Sequence, residues 1–186
     1  MKTLFIIPLV LMPLVSFPSW GLTIDDLVQR EGVYYKKFTD VPFTGEVNEG
    51  KSQGDFKHGI KEGFWIGYWD NGQLQYKGDF KNGKREGLWE TYNGNGKLNR
   101  KGKYKNGQQE GLWVEYYENG RLTFKSNFEN GWKEGDWVSY WSNGQLASKG
   151  KSKRGMKEGF WETFNKDGTL NENKTGTFKN GVKVSD

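Results

Sequence analysis

The sequence predicts an all-β chain, built as one elongated single-layer antiparallel meander of β-hairpins with a short N-terminal capping helix. Three observations predict it. A 24-residue pattern restarts at Gly63, Gly87, Gly111, Gly135 and Gly159 without slippage, and a fixed period of this length marks a repeat architecture. Fixed columns run through the copies: Trp65, Trp89, Trp113, Trp137 and Trp161, then Tyr68, Tyr92, Tyr116, Tyr140 and Phe164. Asn-Gly recurs twice per copy, as at Asn71-Gly72 and Asn82-Gly83. Asn-Gly between β-favouring residues is the strongest short-range hairpin signal. Two turns in 24 residues give a strand about every 12 residues and leave no room for helices.

Residues 1–21 read as a signal peptide. Lys2 supplies the positive start, Leu4 to Val15 the apolar run, and Ser19-Trp20-Gly21 a small-residue cleavage site. The alternative is an uncleaved anchor, against which Pro8, Pro13, Pro18 and the short run argue. The expected localisation is therefore export, to the periplasm or beyond. No Cys occurs in the chain, so neither a disulfide nor a lipid-anchor cysteine is available. Residues 22–38 form a cap. Thr23, Asp25 and Asp26 suit the start of a helix over Leu22 to Glu31, and Gly32 suits its end. Val33 to Phe38 follows as the first strand. Residues 39–186 form one repeat domain with one degenerate and five clear copies, and no linker interrupts them.

Centring a turn on Asn71-Gly72 sets the register. Trp69 faces Leu74, Gly67 faces Tyr76 and Trp65 faces Gly78. A large ring over a residue with almost no side chain is a recurring cross-strand pairing. Alternation then puts Trp65, Trp69, Leu74, Tyr76 and Phe80 on one face, and Phe64, Ile66, Tyr68, Lys77 and Asp79 on the other. Neither face has the aliphatic bulk for a second layer.

The pattern G-x-W-x-x-Y-x-x-N-G-x-L, continued by G-x-[FY]-x-N-G-x-x-E-G, resembles the bacterial variant of the MORN repeat (membrane occupation and recognition nexus), of the type found in antitoxin-like proteins. The likeness covers Gly63 to Lys183, with Pro42-Phe43-Thr44-Gly45 as a worn first copy. It implies a β-hairpin solenoid with a non-catalytic binding role. The last copy departs from it: Lys174 stands where Gly is expected, and Gly176, Phe178 and Asn180-Gly181 come two residues late, which predicts a bulge or fraying end.

Chemistry is sparse. His58, the lone histidine, stands where later copies have Asn before the turn Gly, so it reads as a turn substitute. There is no Cys nucleophile, no second His for a metal pair and no phosphate-cradling motif. No cofactor is expected. Glu62, Glu86, Glu110, Glu134 and Glu158 recur once per copy, as turn acceptors or surface counter-charge. An active site needs unlike groups converging, so a carboxylate-pair hydrolase is the remote alternative.

Two constellations could bind. Trp69, Tyr117 and Trp141 share a column with Asn93 and Asn165, and Trp132 sits in a turn. Such rings anchor protein interfaces or stack on sugars, or else roof the backbone of a one-layer sheet. Lys61, Arg85, Lys133 and Lys157 form a basic column broken by Gln109. Lys57, Lys81, Lys105 and Lys153 form another broken by Glu129. Lining one long edge, they would meet anionic lipid or an acidic partner, or merely discourage edge aggregation. The net charge of +5 does not by itself imply nucleic acid. The expected partner is a protein bound across the aromatic face, antitoxin- or immunity-like as the resemblance implies, with anionic lipid or envelope glycan as the alternative. Open terminal edges would permit end-to-end self-association.

Overall fold

A computed structural model describes residues 21–185; the expected signal segment lies almost wholly outside them. The strands are β1 (Leu27–Arg30), β2 (Val33–Lys36), β3 (Gly45–Val47), β4 (Ser52–Lys57), β5 (Ile60–Tyr68), β6 (Leu74–Lys81), β7 (Lys84–Tyr92) and β8 (Leu98–Lys105). They continue as β9 (Gln108–Tyr116), β10 (Leu122–Glu129), β11 (Trp132–Tyr140), β12 (Leu146–Lys153), β13 (Met156–Thr163), β14 (Gly176–Lys179) and β15 (Val182–Ser185). β3 to β15 form one 13-stranded sheet in strict sequence order, every neighbouring pair antiparallel. The predicted meander is therefore the observed fold.

The cap differs from expectation. Only Ile24–Asp26 is helical, as a single 3₁₀ turn. The Asp26 carboxylate accepts from the Thr23 N–H and hydroxyl at 2.9 and 2.8 Å. Leu27 to Arg30 instead pairs with β2 across Glu31-Gly32, whose φ values of 49° and 83° make a two-residue hairpin turn. Gly32 ends a strand there, not a helix. Leu27 packs with Val47, Phe56 and Trp65 at the first end of the sheet, while Val28 beside it is exposed.

The two turn columns adopt different geometries. Asn82-Gly83, Asn106-Gly107 and Asn130-Gly131 have positive φ at both residues, as do His58-Gly59 and Arg154-Gly155. These are the two-residue hairpins. At Asn71-Gly72 only the glycine has positive φ. Gly72 N–H donates to Trp69 O and Trp69 N–H to Gln73 O, so three residues loop out and a bulge follows. The predicted pairs Trp65–Gly78 and Gly67–Tyr76 hold, but Leu74 faces Tyr68 and not Trp69. The Asn71 side chain decides this by accepting from Gln73 N–H at 3.0 Å, which holds the asparagine in a local turn.

The Glu column is an acceptor ladder. The carboxylates of Glu62, Glu86, Glu110, Glu134 and Glu158 accept the N–H of Asn82, Asn106, Asn130, Arg154 and Asn180 at 2.8–3.2 Å. Each repeat thereby holds the turn of the next. At the other turn the Asn71, Asn119 and Asn143 amides donate to Gly94, Ser142 and Lys166 carbonyls. In the last copy a 3₁₀ turn at Glu172–Lys174 takes up the extra residues, and Trp161 still pairs with Gly176.

Candidate functional site

The tryptophan face is a ladder of rings. Trp65, Trp89, Trp113 and Trp161 are all but fully buried. Their indole N–H groups donate to the carbonyls of Asp55, Asp79, Lys103 and Lys151 at 2.8–3.2 Å. The rings lie on Gly54, Gly78, Gly102 and Gly150, where any Cβ would come within 2.7 Å of ring carbons. The ring on Gly78 is thus Trp89 from β7, although Trp65 is the glycine's partner on β5. Between Lys77–Glu90 and Asp79–Glu86 three residues of β7 face this one glycine. Gly87, at φ 65°, makes that bulge. Phe56, Phe80, Tyr104 and Phe128 fill the gaps, edge to face with successive tryptophans at 5.0–6.3 Å.

The basic column joins this face and does not line an edge. Lys61 Nζ lies 3.8 Å from the Trp65 ring centroid, the Arg85 guanidinium 4.5 Å from Trp89, Lys133 4.1 Å from Trp137 and Lys157 4.6 Å from Trp161. Where Gln109 interrupts the column, Arg100 covers Trp113 at 4.7 Å. Each ring quadrupole holds its cation, so these charges are committed to the fold. Lys57, Lys81, Lys105 and Lys153 are the exposed ones, beside the two-residue turns.

Burial, with the Arg85 charge adding to it, pushes Lys61 down to about 8 from 10.5. Between those values the unfolded chain holds the proton more tightly than the folded one. Stability from this residue therefore rises with pH from about 8 and is complete above 10.5. Thermal melts at pH 7.5 to 10 should show Lys61→Met flattening that part of the rise. An unchanged slope would refute the assignment.

The ladder breaks once. The residue matching Gly78 and Gly102 is Ser126 in the next repeat. Its Cβ occupies the space a ring would need, and its hydroxyl donates to Asn127 O at 3.2 Å. That carbonyl is the counterpart of the acceptors used by the other indoles. Trp137 has lost both seat and acceptor. It is half-buried, donates to Ser148 Oγ at 3.1 Å and stacks on Phe124 at 4.8 Å. Ser152 replaces the Phe80/Tyr104/Phe128 ring, and Ser148 stands where Tyr76, Arg100 and Phe124 do. A groove of about 850 Å³ opens there, and Tyr117, Trp137, Ser148 and Lys157 are among its walls.

The predicted site residues are scattered by this geometry. Tyr117, Trp141 and Lys157 meet in the groove, and Lys133 lies on Trp137. Trp69 lies in an earlier repeat, while Lys61 and Arg85 belong to the intact ladder. Trp69, Tyr117 and Trp141 tie repeats together by donating to the carbonyls of Tyr92, Tyr140 and Phe164 at 2.9–3.1 Å. Trp132 is 61% exposed and rests on the turn glycine Gly155. Sequence reasoning missed Ser126, Trp137, Ser148 and Ser152. Their signal was available: small residues in columns that elsewhere hold a glycine beneath a ring or a large side chain.

The opposite face is open. Phe64, Leu88, Leu112 and Phe160 recur in one column at 54–56% exposure, and Asp136 takes the fourth place. Ion pairs Lys77–Glu90 at 2.9 Å and Lys149–Glu162 at 2.7 Å accompany the column.

Residues 61–82, 85–106, 109–130 and 133–153 match the family model described as "MORN repeat variant". A comparison with curated proteins returns no match. Among solved structures, a chain from "Crystal structure of GtfA/B complex bound to UDP and GlcNAc" aligns at 12% identity over 75% of this chain and 25% of that one. This chain thus corresponds to about a quarter of that one's length, and the TM-score is 0.23.

Proposed function

The chain belongs to the MORN repeat variant family, and on that premise we propose that it is an exported, non-catalytic scaffold that binds a protein partner in an antitoxin- or immunity-like manner. The observation that carries this reading is the exposed column Phe64, Leu88, Leu112 and Phe160. Antiparallel strands repeat at ~4.8 Å, so the column places an apolar anchor about every 10 Å along one face. Asp79, Lys103 and Asn127 stand opposite these anchors on the intervening strands, and exposed apolar anchors set among polar groups suit a protein interface. Trp132, beside the same sheet at the turn edge, adds a large amphipathic ring of the kind that dominates interface energetics.

An anionic membrane suits this surface less well. Glu90, Glu162 and Asp136 accompany the column, and of the two basic columns expected to meet headgroups the one through Lys61 and Arg85 lies on tryptophan rings, leaving Lys57, Lys81, Lys105 and Lys153 at the turns. The Glu column, a candidate for chemistry by its repetition, is spent on turn N–H groups, which supports a non-catalytic role.

The test is capture of the partner from the native envelope, followed by a titration with the identified protein. Phe64→Ser combined with Leu112→Ser, and separately Trp132→Ala, should each weaken binding about tenfold or more. Circular dichroism should be unchanged, since these side chains are exposed. Binding that survives all three changes would defeat the reading, as would salt-sensitive binding to phosphatidylglycerol vesicles with no protein captured.

A further inference from the structure

The groove at the ladder's break has a composition unlike the rest of the tryptophan face. At about 850 Å³ it falls in the range of small-ligand sites, ~300–1,000 Å³. Tyr117, Trp137, Trp141 and Phe178 supply rings to its lining. Ser139, Ser148 and Thr163 supply hydroxyls. The charged residues that line it are Lys157, Lys166, Lys174 and Lys183, with no Asp or Glu. Among the described residues Lys157, Lys166 and Lys174 take part in no ion pair. Lys183 Nζ donates to the Glu172 and Asn173 carbonyls. No carboxylate lines the groove beside Lys157, Lys166 and Lys174, of which Lys157 lies over the Trp161 and Phe178 rings and Lys166 over the Trp141 ring.

We propose that this groove binds a short acidic saccharide, a uronate-bearing sugar whose ring faces pack on the aromatic walls and whose carboxylate meets Lys166 and Lys174. The C–H-rich face of a pyranose complements the electron-rich face of an indole or phenol ring. Its hydroxyls find partners in Ser139, Thr163 and the Asn165 and Asn173 amides that also line the groove. Lys166 and Lys174 are exposed at the rim of the groove, and a lysine–carboxylate contact there is a charge-assisted hydrogen bond, stronger than a neutral one. An extended acidic peptide fits less well. The groove lies on a sheet face whose strands are already paired on both sides, so a peptide backbone has no free ladder to join. A lipid tail fits less well too, because hydroxyls, amides and ammonium groups line the space. The site lies on the face opposite the exposed column, so it stands or falls independently of the protein partner proposed for that column.

The test is a titration of the full chain with trigalacturonate and with hyaluronan tetrasaccharide, read by tryptophan fluorescence and calorimetry. One of the two should bind saturably at one site, and a neutral galactose trisaccharide should bind about tenfold or more weaker. Lys166→Ala with Lys174→Ala should cost about tenfold or more. Ser126→Gly should restore the missing seat, draw Trp137 over residue 126 and abolish binding, with indole emission shifting to shorter wavelength. Ser148→Tyr, which puts the bulk of Tyr76 back at that column, provides a second closure that does not depend on the first. Leu112→Ser should leave saccharide binding unchanged even where it abolishes partner binding. Flat titrations with both acidic sugars, or binding that survives the lysine pair and Ser148→Tyr, would overturn the proposal.

Discussion

Trp89→Ala is expected to lower the unfolding free energy by about 3–5 kcal/mol, the usual cost of deleting a fully buried large aromatic side chain. Trp89 is 2% exposed. Its ring roofs Gly78, its N–H satisfies the Asp79 carbonyl, and Phe80 and Tyr104 meet its faces and edges at 5.1 and 6.0 Å. Arg85 would lose its ring as well. In a repeat array each unit is held by its neighbours, so the loss should divide the ladder. Chemical denaturation should show a broadened transition, and amide exchange should quicken first around Gly78 and Asp79. Trp137→Ala serves as the internal control. That ring is only partly buried and already unseated, so its loss should cost less, about 2 kcal/mol on an area scale, without the cavity cost that attends the loss of Trp89. Equal costs at the two positions would contradict the account of the ladder.

Gly102→Ser is expected to reproduce the natural break inside an intact repeat. A Cβ at residue 102 would lie within 2.6 Å of Trp113 ring carbons, and its strand is paired on both sides. Trp113 must leave its seat and give up its bond to Lys103 O. Overpacking of this kind typically costs about 1–3 kcal/mol, and partial exposure of an indole adds about 1–2 kcal/mol more on the area scale. A fall in melting temperature with a red shift of indole emission would support this. A variant that melts like the parent would show that a serine hydroxyl and its Cβ do not displace the ring, which would also remove the reason given for Trp137.

The legible part of the fold was local. Asn-Gly at fixed offsets announced the hairpins of the central repeats, and the pairs Trp65–Gly78 and Trp89–Gly102 were read correctly because they lie a few residues from a turn. Errors came where two local solutions compete. Asn71-Gly72 and Asn82-Gly83 have the same dipeptide but opposite behaviour, because the Asn71 side chain turns back on Gln73 N–H while the Asn82 N–H is held by Glu62. Glu31-Gly32 looked like a helix end, since a C-terminal glycine and a hairpin glycine both need positive φ. The basic column was assigned to an edge because alternation alone does not say whether a long side chain lies on a ring or reaches into water.

Of the candidate site, the participants Tyr117, Trp141 and Lys157 were named from their columns, but the groove that gathers them was not. It exists through residues that are small, and a missing side chain draws attention only when its neighbours are known.

By itself the sequence determined the period, the strand order and the identity of the covering rings, because turn chemistry and alternation act over a handful of residues. Only the tertiary structure decided which ring lies on which glycine, where the cations fold down, and that a few small side chains together leave a groove. Those outcomes depend on the bulges at Gly63, Gly87 and Gly111, which bring each indole across to the preceding strand, and on whether a single Cβ already fills the place where it would land.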